Sequence, residues 1–364
     1  MKEVEDRLQE VLNAVVAQGR ERGVQLAAYL EGELVVDIAA GTADPGKTRM
    51  VTQDTLFPIF SVGKGITSTI IHRLVEQGKL DYDQRIAHYW PEFGVNGKDG
   101  ITIRQALNHS AGIPQMPTGL TLKEMCDWDT ICGAVAALVP LWEPGTMQEY
   151  HAITFGWILG EAACRADGRP FPQLVREEVC EIIGTPDIYI GLPAEAEPRV
   201  AELEEYNRPP TAPLPDNARP LSIPVWLGPL HAMMNRSDVR RACSPGTNGI
   251  MSARAVARHY AALLPGGVDG VSLLTPERLA EATTLQPPAN PAPNTPRLNK
   301  GLGYNLFFDE AGKLIRFGHG GYGGSDAYAE PAHRFAVCIT KNLFSEDGAK
   351  DLIINELRSA LKLP

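Results

Sequence analysis

Apolar positions recur along this chain in two rhythms, one helical and one extended. Val4, Leu8, Val11, Leu12 and Val15 fall at helical spacing and predict an amphipathic first helix. Two apolar runs, 24–30 and 34–40, flank Glu31-Gly32-Glu33 and predict a β-hairpin. A polar stretch from Asp44 to Gln53 reads as a loop. The extended run Leu56-Phe57-Pro58-Ile59-Phe60 follows. Helical spacing then returns with Ile66, Ile70, Ile71, Leu74 and Val75, and closes at Gly78.

The middle of the chain is helical in pattern. Residues 79–86 read as a turn into a short helix. A capped helix starts at Thr102 and ends in the small-residue turn Asn108-His109-Ser110-Ala111-Gly112-Ile113-Pro114. Helices are predicted over 122–138, 155–166, 172–183 and 252–264. From Tyr206 to Pro229 the chain is proline-rich and irregular, long enough to predict a wall or lid over a pocket. A second proline-rich stretch covers 287–296. Strand character returns over 303–308, 314–317, 327–329 and 335–340, before a last helix over 347–361. Strands thus cluster at both ends, with helices between. The pattern predicts an α+β fold: one antiparallel sheet built from both termini, flanked by terminal helices, with a mainly helical insertion. We divide the chain into a sheet domain, 1–85 plus 245–364, and a mainly helical domain, 86–244, with the active site in the cleft between them.

Composition narrows the function. At 364 residues the chain is long for one simple domain, and 44% hydrophobic content suffices for a core. A formal charge of -10, spread along the chain, argues against nucleic acid and anionic membranes as partners. No run of about 18 apolar residues is present to span a membrane. The charged N-terminus, Met1-Lys2-Glu3-Val4-Glu5-Asp6-Arg7, lacks the apolar stretch of a signal peptide, so the expected location is cytoplasmic. The six cysteines form no C-x-x-C pair and read as reduced thiols. The eight histidines are scattered, so no metal or other cofactor is expected.

Three elements carry chemistry. The first is Ser61-Val62-Gly63-Lys64, which opens the helix after the extended run. A serine hydroxyl needs a base, and a helix start offers free N–H groups and a positive dipole end. A lysine at i+3 in a dry pocket loses proton affinity and becomes that base. Alone, the motif also fits a serine cap followed by an exposed lysine. The second element is Glu149-Tyr150-His151-Ala152; a tyrosine near an ammonium serves as base or as acid for a leaving alcohol. The third is Phe317-Gly318-His319-Gly320-Gly321-Tyr322-Gly323-Gly324-Ser325-Asp326, between two strand-like segments. Its glycines permit close backbone approach to a ligand. The N–H groups of Ser61 and Tyr322 are the candidate oxyanion hole. Two other readings of this stretch lack context. Gly318-x-Gly320-x-x-Gly323 is followed by strand residues where a dinucleotide site needs a helix. Gly323-x-Ser325 lacks the strand-to-helix turn of a nucleophile elbow.

Together these elements resemble the serine β-lactamase and penicillin-binding-protein superfamily. Within it they are most similar to the class C β-lactamase-like branch and its family VIII carboxylesterases. The resemblance covers nearly the whole chain. It includes the 108–114 turn, with Ala111 where the branch usually has serine, Trp142-Glu143-Pro144-Gly145-Thr146, and Asn248-Gly249-Ile250-Met251-Ser252. It implies a β-lactamase-like fold and a serine hydrolase that works through an acyl-enzyme. Ser61, Lys64 and Tyr150 would be catalytic, and His319, Gly320, Gly321 and Ala152 would contact substrate. Two departures matter. Ala152 stands where a class C β-lactamase has asparagine, and His319-Gly320-Gly321 where it has Lys-Thr-Gly. Both polar handles on a lactam are missing, so the expected activity is hydrolysis of short-chain carboxylic esters, the partner being a small-molecule ester. β-Lactamase or D,D-peptidase-like hydrolysis, acyl transfer on the same scaffold, and an inactive binding protein stay open as alternatives. The sequence sets no oligomeric state.

Overall fold

The computed structural model describes residues 2–206, 221–291, 293, 297–345 and 349–364. The first helix is α1 (Lys2–Ala17). The hairpin follows as β1 (Gly23–Leu30) and β2 (Glu33–Gly41). Glu31 and Gly32 turn it with φ of 54° and 87°, the left-handed geometry that suits the twist of a two-residue hairpin. The extended run is β3 (Phe57–Phe60), and the apolar helix after it is α2 (Gly63–Glu76).

The middle segments are helical, with breaks that have local causes. Helix α3 (Ile103–Leu107) carries a full capping box between Thr102 and Gln105. The helix expected over 122–138 is two. Leu122–Met125 stops short, and α4 (Trp128–Ala136) restarts where the Asp127 side chain accepts the Thr130 N–H. Helix α5 (Thr154–Asp167) ends at Gly168, whose φ is 90°. The helix expected over 172–183 is interrupted by a π-turn at Arg176–Cys180. A small sheet not anticipated from the pattern joins β3 to β4 (Ile188–Ile190) and β5 (Gly249–Met251), in the antiparallel order β3-β5-β4. Most of the expected wall at Tyr206–Pro229 lies outside the described residues. Its described end leads into α6 (Leu230–Met234). Helix α7 (Ala253–Leu263) is capped by the Ser252 hydroxyl.

The last strands are β6 (Asn305–Phe308), β7 (Leu314–Gly320), β8 (Asp326–Glu330) and β9 (Phe335–Lys341), before α8 (Ala349–Ala360). Residues 347 and 348 of the expected last helix lie outside the described residues. The main sheet has the order β2-β1-β9-β8-β7-β6, antiparallel throughout, so strands from both ends of the chain meet at the β1–β9 pair. Alternation along β1 sends Val24, Leu26 and Ala28 to one face, against Leu8, Leu12, Ile353 and Leu357 of α1 and α8. Ala27 and Tyr29 face the larger core shared with α2, α5 and α7. The fold is therefore the expected α+β arrangement, one antiparallel sheet built from both ends of the chain and flanked by helices. Among the described residues no helix is long and apolar enough to cross a membrane. Nor does any group of three or more His, Cys, Asp or Glu side chains stand where it could hold a metal ion.

The β7–β8 turn is pinned from below. Ser325 Oγ accepts the Lys341 N–H at 3.2 Å, and Lys341 Nζ lies 2.6 Å from Glu21 Oε1 with both side chains buried. Removing one partner of such a pair strands the other charge. Glu21→Ala should therefore lower stability by about 3–5 kcal/mol, whereas Glu21→Leu combined with Lys341→Met should recover most of it, both read from urea unfolding.

The core also holds histidines that resist protonation. Burial pushes His72 and His259 down to about 3, and His151 to about 4. The unfolded chain takes up these protons near pH 6.5 and the folded chain does not, so their stabilising effect is lost as pH falls. The urea midpoint should drop steadily between pH 6.5 and pH 4. A flat midpoint over that range would show that these rings stay solvated.

Candidate active site

Phe60, the last residue of β3, has a φ of 50°, left-handed backbone that a bulky residue adopts only when its surroundings compel it. The pairing of β3 with β5 shifts register between Pro58 and Phe60, and the chain swings outward there. Gly249 makes room for the swing. A Cβ on it would lie 3.1 Å from both the Phe60 carbonyl oxygen and the Gly63 Cα. Ser61 is thereby lifted onto a turn, half-buried, and α2 begins two residues later. Its carbonyl accepts the Lys64 N–H at 3.0 Å. Its own N–H is not spent on a hydrogen bond among the described residues.

Lys64 is completely buried. Its Nζ lies 2.6 Å from the Ala152 carbonyl oxygen, 2.5 Å from that of Gly246, and 3.2 Å from Ser61 Oγ. Burial, and then the charge of Lys300, hold the amine well below the usual lysine range. A neutral amine has two hydrogens and one lone pair. The two carbonyls take the hydrogens, and the lone pair is left for the Ser61 hydroxyl. The carbonyls are fixed by packing. Gly156 of α5 sits so close to the 245–246 turn that a Cβ would fall 1.9 Å from the Gly246 nitrogen, and Thr67 Oγ1 donates to the Pro245 carbonyl at 2.7 Å.

The Tyr150 phenol stands beside Ser61 in the cavity lining. Burial raises its phenol well above the ordinary value, so the ring stays protonated. Lys64 Nζ stands 4.8 Å from the ring centroid. The His109 ring packs 4.9 Å from it and the His319 ring 5.9 Å. His319 Nδ1 donates to the Gly320 carbonyl at 2.7 Å, which leaves Nε2 an acceptor with no partner among the described residues. Burial, Lys300 and Lys64 keep this imidazole neutral, so it acts on Tyr150 as a dipole and a wall rather than as a charge.

The glycine turn closes the site. A Cβ on Gly321 would fall 2.2 Å from the Ile59 carbonyl oxygen, so only glycine lets this turn lie against the end of β3. Tyr322 follows, its ring edge-on to Phe60 at 5.7 Å and to Phe344 at 5.3 Å. Ser61, Tyr150, Ala152, His319, Gly320 and Tyr322 all line one cavity of about 450 Å³. Met125, Ile153, Leu227, Leu230 and Met233 form its apolar wall.

The structure thus brings together the residues singled out from the sequence, except that Gly321, expected to contact substrate, packs on Ile59 and does not line the cavity. Ser325 is not among them: it is buried, bonded to the Lys341 backbone, and absent from the cavity lining. Gly318-x-Gly320-x-x-Gly323 runs out of one strand into a turn and another strand, with no helix to receive a phosphate. Three residues escaped the sequence reading. Lys300 lines the cavity, 4.9 Å from the Tyr150 ring centroid. Asn305 accepts a hydrogen bond from it. His109 stood in the recognised 108–114 turn but was given no role; the structure holds it at a φ of 64°, with its ring 4.9 Å from that of Tyr150.

A buried lysine amine aimed at a serine, with a neutral phenol beside both, is the apparatus of a serine hydrolase. The chain belongs to the β-lactamase family, whose model matches residues 8–360. It is 34% identical over 333 residues to the esterase/β-lactamase LipL of Mycobacterium tuberculosis, an alignment that covers 88% of this chain and 77% of that one. Its fold superposes on a family VIII carboxylesterase with a TM-score of 0.83, at 30% identity, covering 98% and 97% of the two chains. A penicillin-binding protein homolog from Caulobacter crescentus gives 0.84 at 33% identity, with the same coverage.

Fluorophosphonate labelling tests the nucleophile. Ser61→Ala should abolish the adduct and Ser325→Ala should leave it intact; mass spectrometry that places the adduct on Ser325 would reverse the assignment. Lys64→Ala and Tyr150→Phe should each lower kcat by several decades in proteins that melt like wild type, because base, relay and nucleophile act as a unit.

Proposed function

We propose that this protein is a serine carboxylesterase that hydrolyses short-chain carboxylic esters through an acyl-enzyme. The observation that carries the reading is the Lys64 amine, held by two backbone carbonyls and otherwise, among the described residues, facing Ser61, which lines a mostly apolar cavity. Ser61 attacks the ester carbonyl as its proton passes to Lys64. The oxyanion rests on the N–H groups of Ser61 and Tyr322. Tyr150 gives its proton to the departing alcohol and recovers one from Lys64. Water then enters by the reverse path and releases the acid. The sheet domain supplies Ser61, Lys64, Tyr322 and His319, and the helical domain supplies Tyr150 and the apolar wall. The catalytic groups thus face each other across the cleft between 1–85 plus 245–364 and 86–244.

The names of the relatives support both ester and lactam chemistry, LipL carrying both in its own. Two features weigh against lactams here. Ala152 presents a methyl group to the cavity, and the turn at His319-Gly320-Gly321 carries no cation. Lys300 is a cation on the wall, but burial lowers it to about 7, so it is a weak anchor for a carboxylate in mildly alkaline solution. Two missing charge-assisted contacts should cost a penicillin roughly 3–6 kcal/mol, or about two to four decades. At pH 8, kcat/KM for p-nitrophenyl butyrate should exceed that for benzylpenicillin by that margin, with nitrocefin between them. Equal turnover of ester and penicillin would replace this reading with a β-lactamase.

A further inference from the structure

Lys300 has no part in the scheme above, yet it is placed as though it had one. It is 6% exposed, and its backbone is fixed on both sides: its N–H donates to the Leu298 carbonyl at 2.9 Å, and its carbonyl accepts the Gln286 N–H at 2.8 Å. The amine donates to Asn305 Oδ1 and lies 4.9 Å from the centroid of the same Tyr150 ring that Lys64 approaches at 4.8 Å. The groups that face it are Lys64 from α2, His109 from the turn after α3, Tyr150 from the segment before α5, and His319 from β7. Every one is a base or a phenol. No Asp or Glu stands among the described residues that line the cavity. A buried lysine ordinarily finds a carboxylate; this one finds the Asn305 amide oxygen, with a second lysine close to the same phenol ring.

We propose that Lys300 is a positioning residue for the Ser61–Lys64 pair: it carries the single positive charge that the cavity floor tolerates, and so keeps the Lys64 amine free to take the serine proton. Two ammonium groups around one phenol ring in a dry cavity repel strongly. The more exposed one, Lys300, wins the proton. Burial lowers Lys300 to about 7, while Lys64 lies well below its usual range by burial and by the charge of Lys300. As pH falls, Lys300 charges first and delays the protonation of Lys64. The sign is definite. Removing the Lys300 charge raises the affinity of Lys64 for a proton, and so moves the acid limb of serine reactivity upward.

This inference rests on Ser61 and Lys64 as nucleophile and base, not on the preference for esters. The readout is therefore the second-order rate of fluorophosphonate labelling of Ser61 against pH, which needs no ester turnover. In Lys300→Met the acid limb should move up by on the order of one pH unit, so that labelling on the acid side is about tenfold slower while the alkaline plateau is kept. Lys300→Arg, charged at every pH used, should hold the limb at or below its wild-type position. A structural role alone would scale the whole profile and leave the limb in place, and that result in Lys300→Met overturns the proposal. Should Lys300→Met fail to fold, Lys300→Arg decides, since a limb that rises with the charge retained also overturns it. If labelling behaves as expected and no ester is turned over, the proposal stands and the esterase reading falls.

Discussion

The site depends on one buried amine held between two backbone carbonyls. An ammonium in that place, with no carboxylate partner, is costly, and burial holds Lys64 well below the usual lysine range. The carbonyls of Ala152 and Gly246 then orient the amine. Neither comes from the helix that carries the lysine. One precedes α5 and the other precedes β5, and the contact of Gly156 with Gly246 ties the two segments together. Catalytic competence is thus a property of tertiary packing. The serine and lysine are three residues apart, but the base is made by residues about ninety and one hundred and eighty positions away.

The electrostatic character of the cavity follows from the same constraint. His109, His151 and His319 are buried around Lys64 and held below the ordinary imidazole range, and Tyr150 is held above the ordinary phenol range. Each group is thereby kept in its neutral form. A resting phenolate at Tyr150 is disfavoured, which is why the proposed mechanism sends the first proton to Lys64 and uses the phenol as a relay. A floor bearing at most the one charge of Lys300 also costs less to cover with an apolar ester than a floor bearing paired ions, which would have to be desolvated with each substrate.

The fold was legible where the hydrophobic period was long enough to speak. The hairpin, α2 and the sheet from both termini emerge from alternation and helical spacing. The β3-β5-β4 sheet did not, because Ile188–Ile190 and Gly249–Met251 are three residues each, too short to show a period. The break at Cys126–Asp127 was written in the cap residues Thr121 and Asp127, but apolar spacing carried across it and masked it. For the site, Ser61 and Lys64 were readable because a helix brings i and i+3 together. Tyr150 and His319 became readable only through family likeness. Lys300 was not readable at all. It precedes Gly301 in a non-repetitive segment and reaches the site through the bridge between Lys300 and Asn305. Gly303 presses onto α2 so closely that a Cβ would meet Ser68 Oγ at 1.9 Å, and its φ of 84° is not extended backbone, so strand β6 begins at Asn305.

Reactivity and selectivity are built from different parts of this molecule. The strained Phe60, the glycine pair at Gly63 and Gly249, and the Lys64 cradle would activate a serine toward any carbonyl that reached it. None of them distinguishes an ester from a lactam. Discrimination therefore falls to the surfaces a substrate meets on the way in: Ala152 and the His319-Gly320 strand end on one side, and Leu227, Leu230 and Met233 on the other. Among the described residues these offer one imidazole acceptor without a partner and otherwise hydrocarbon. A hydrocarbon wall rejects a misfit weakly, by on the order of 1–3 kcal/mol per methylene, while a site built to hydrogen-bond rejects a missing partner by far more. Under the proposed esterase function such a wall would be broad among small neutral acyl groups and selective chiefly against substrates that must bury an unpaired charge.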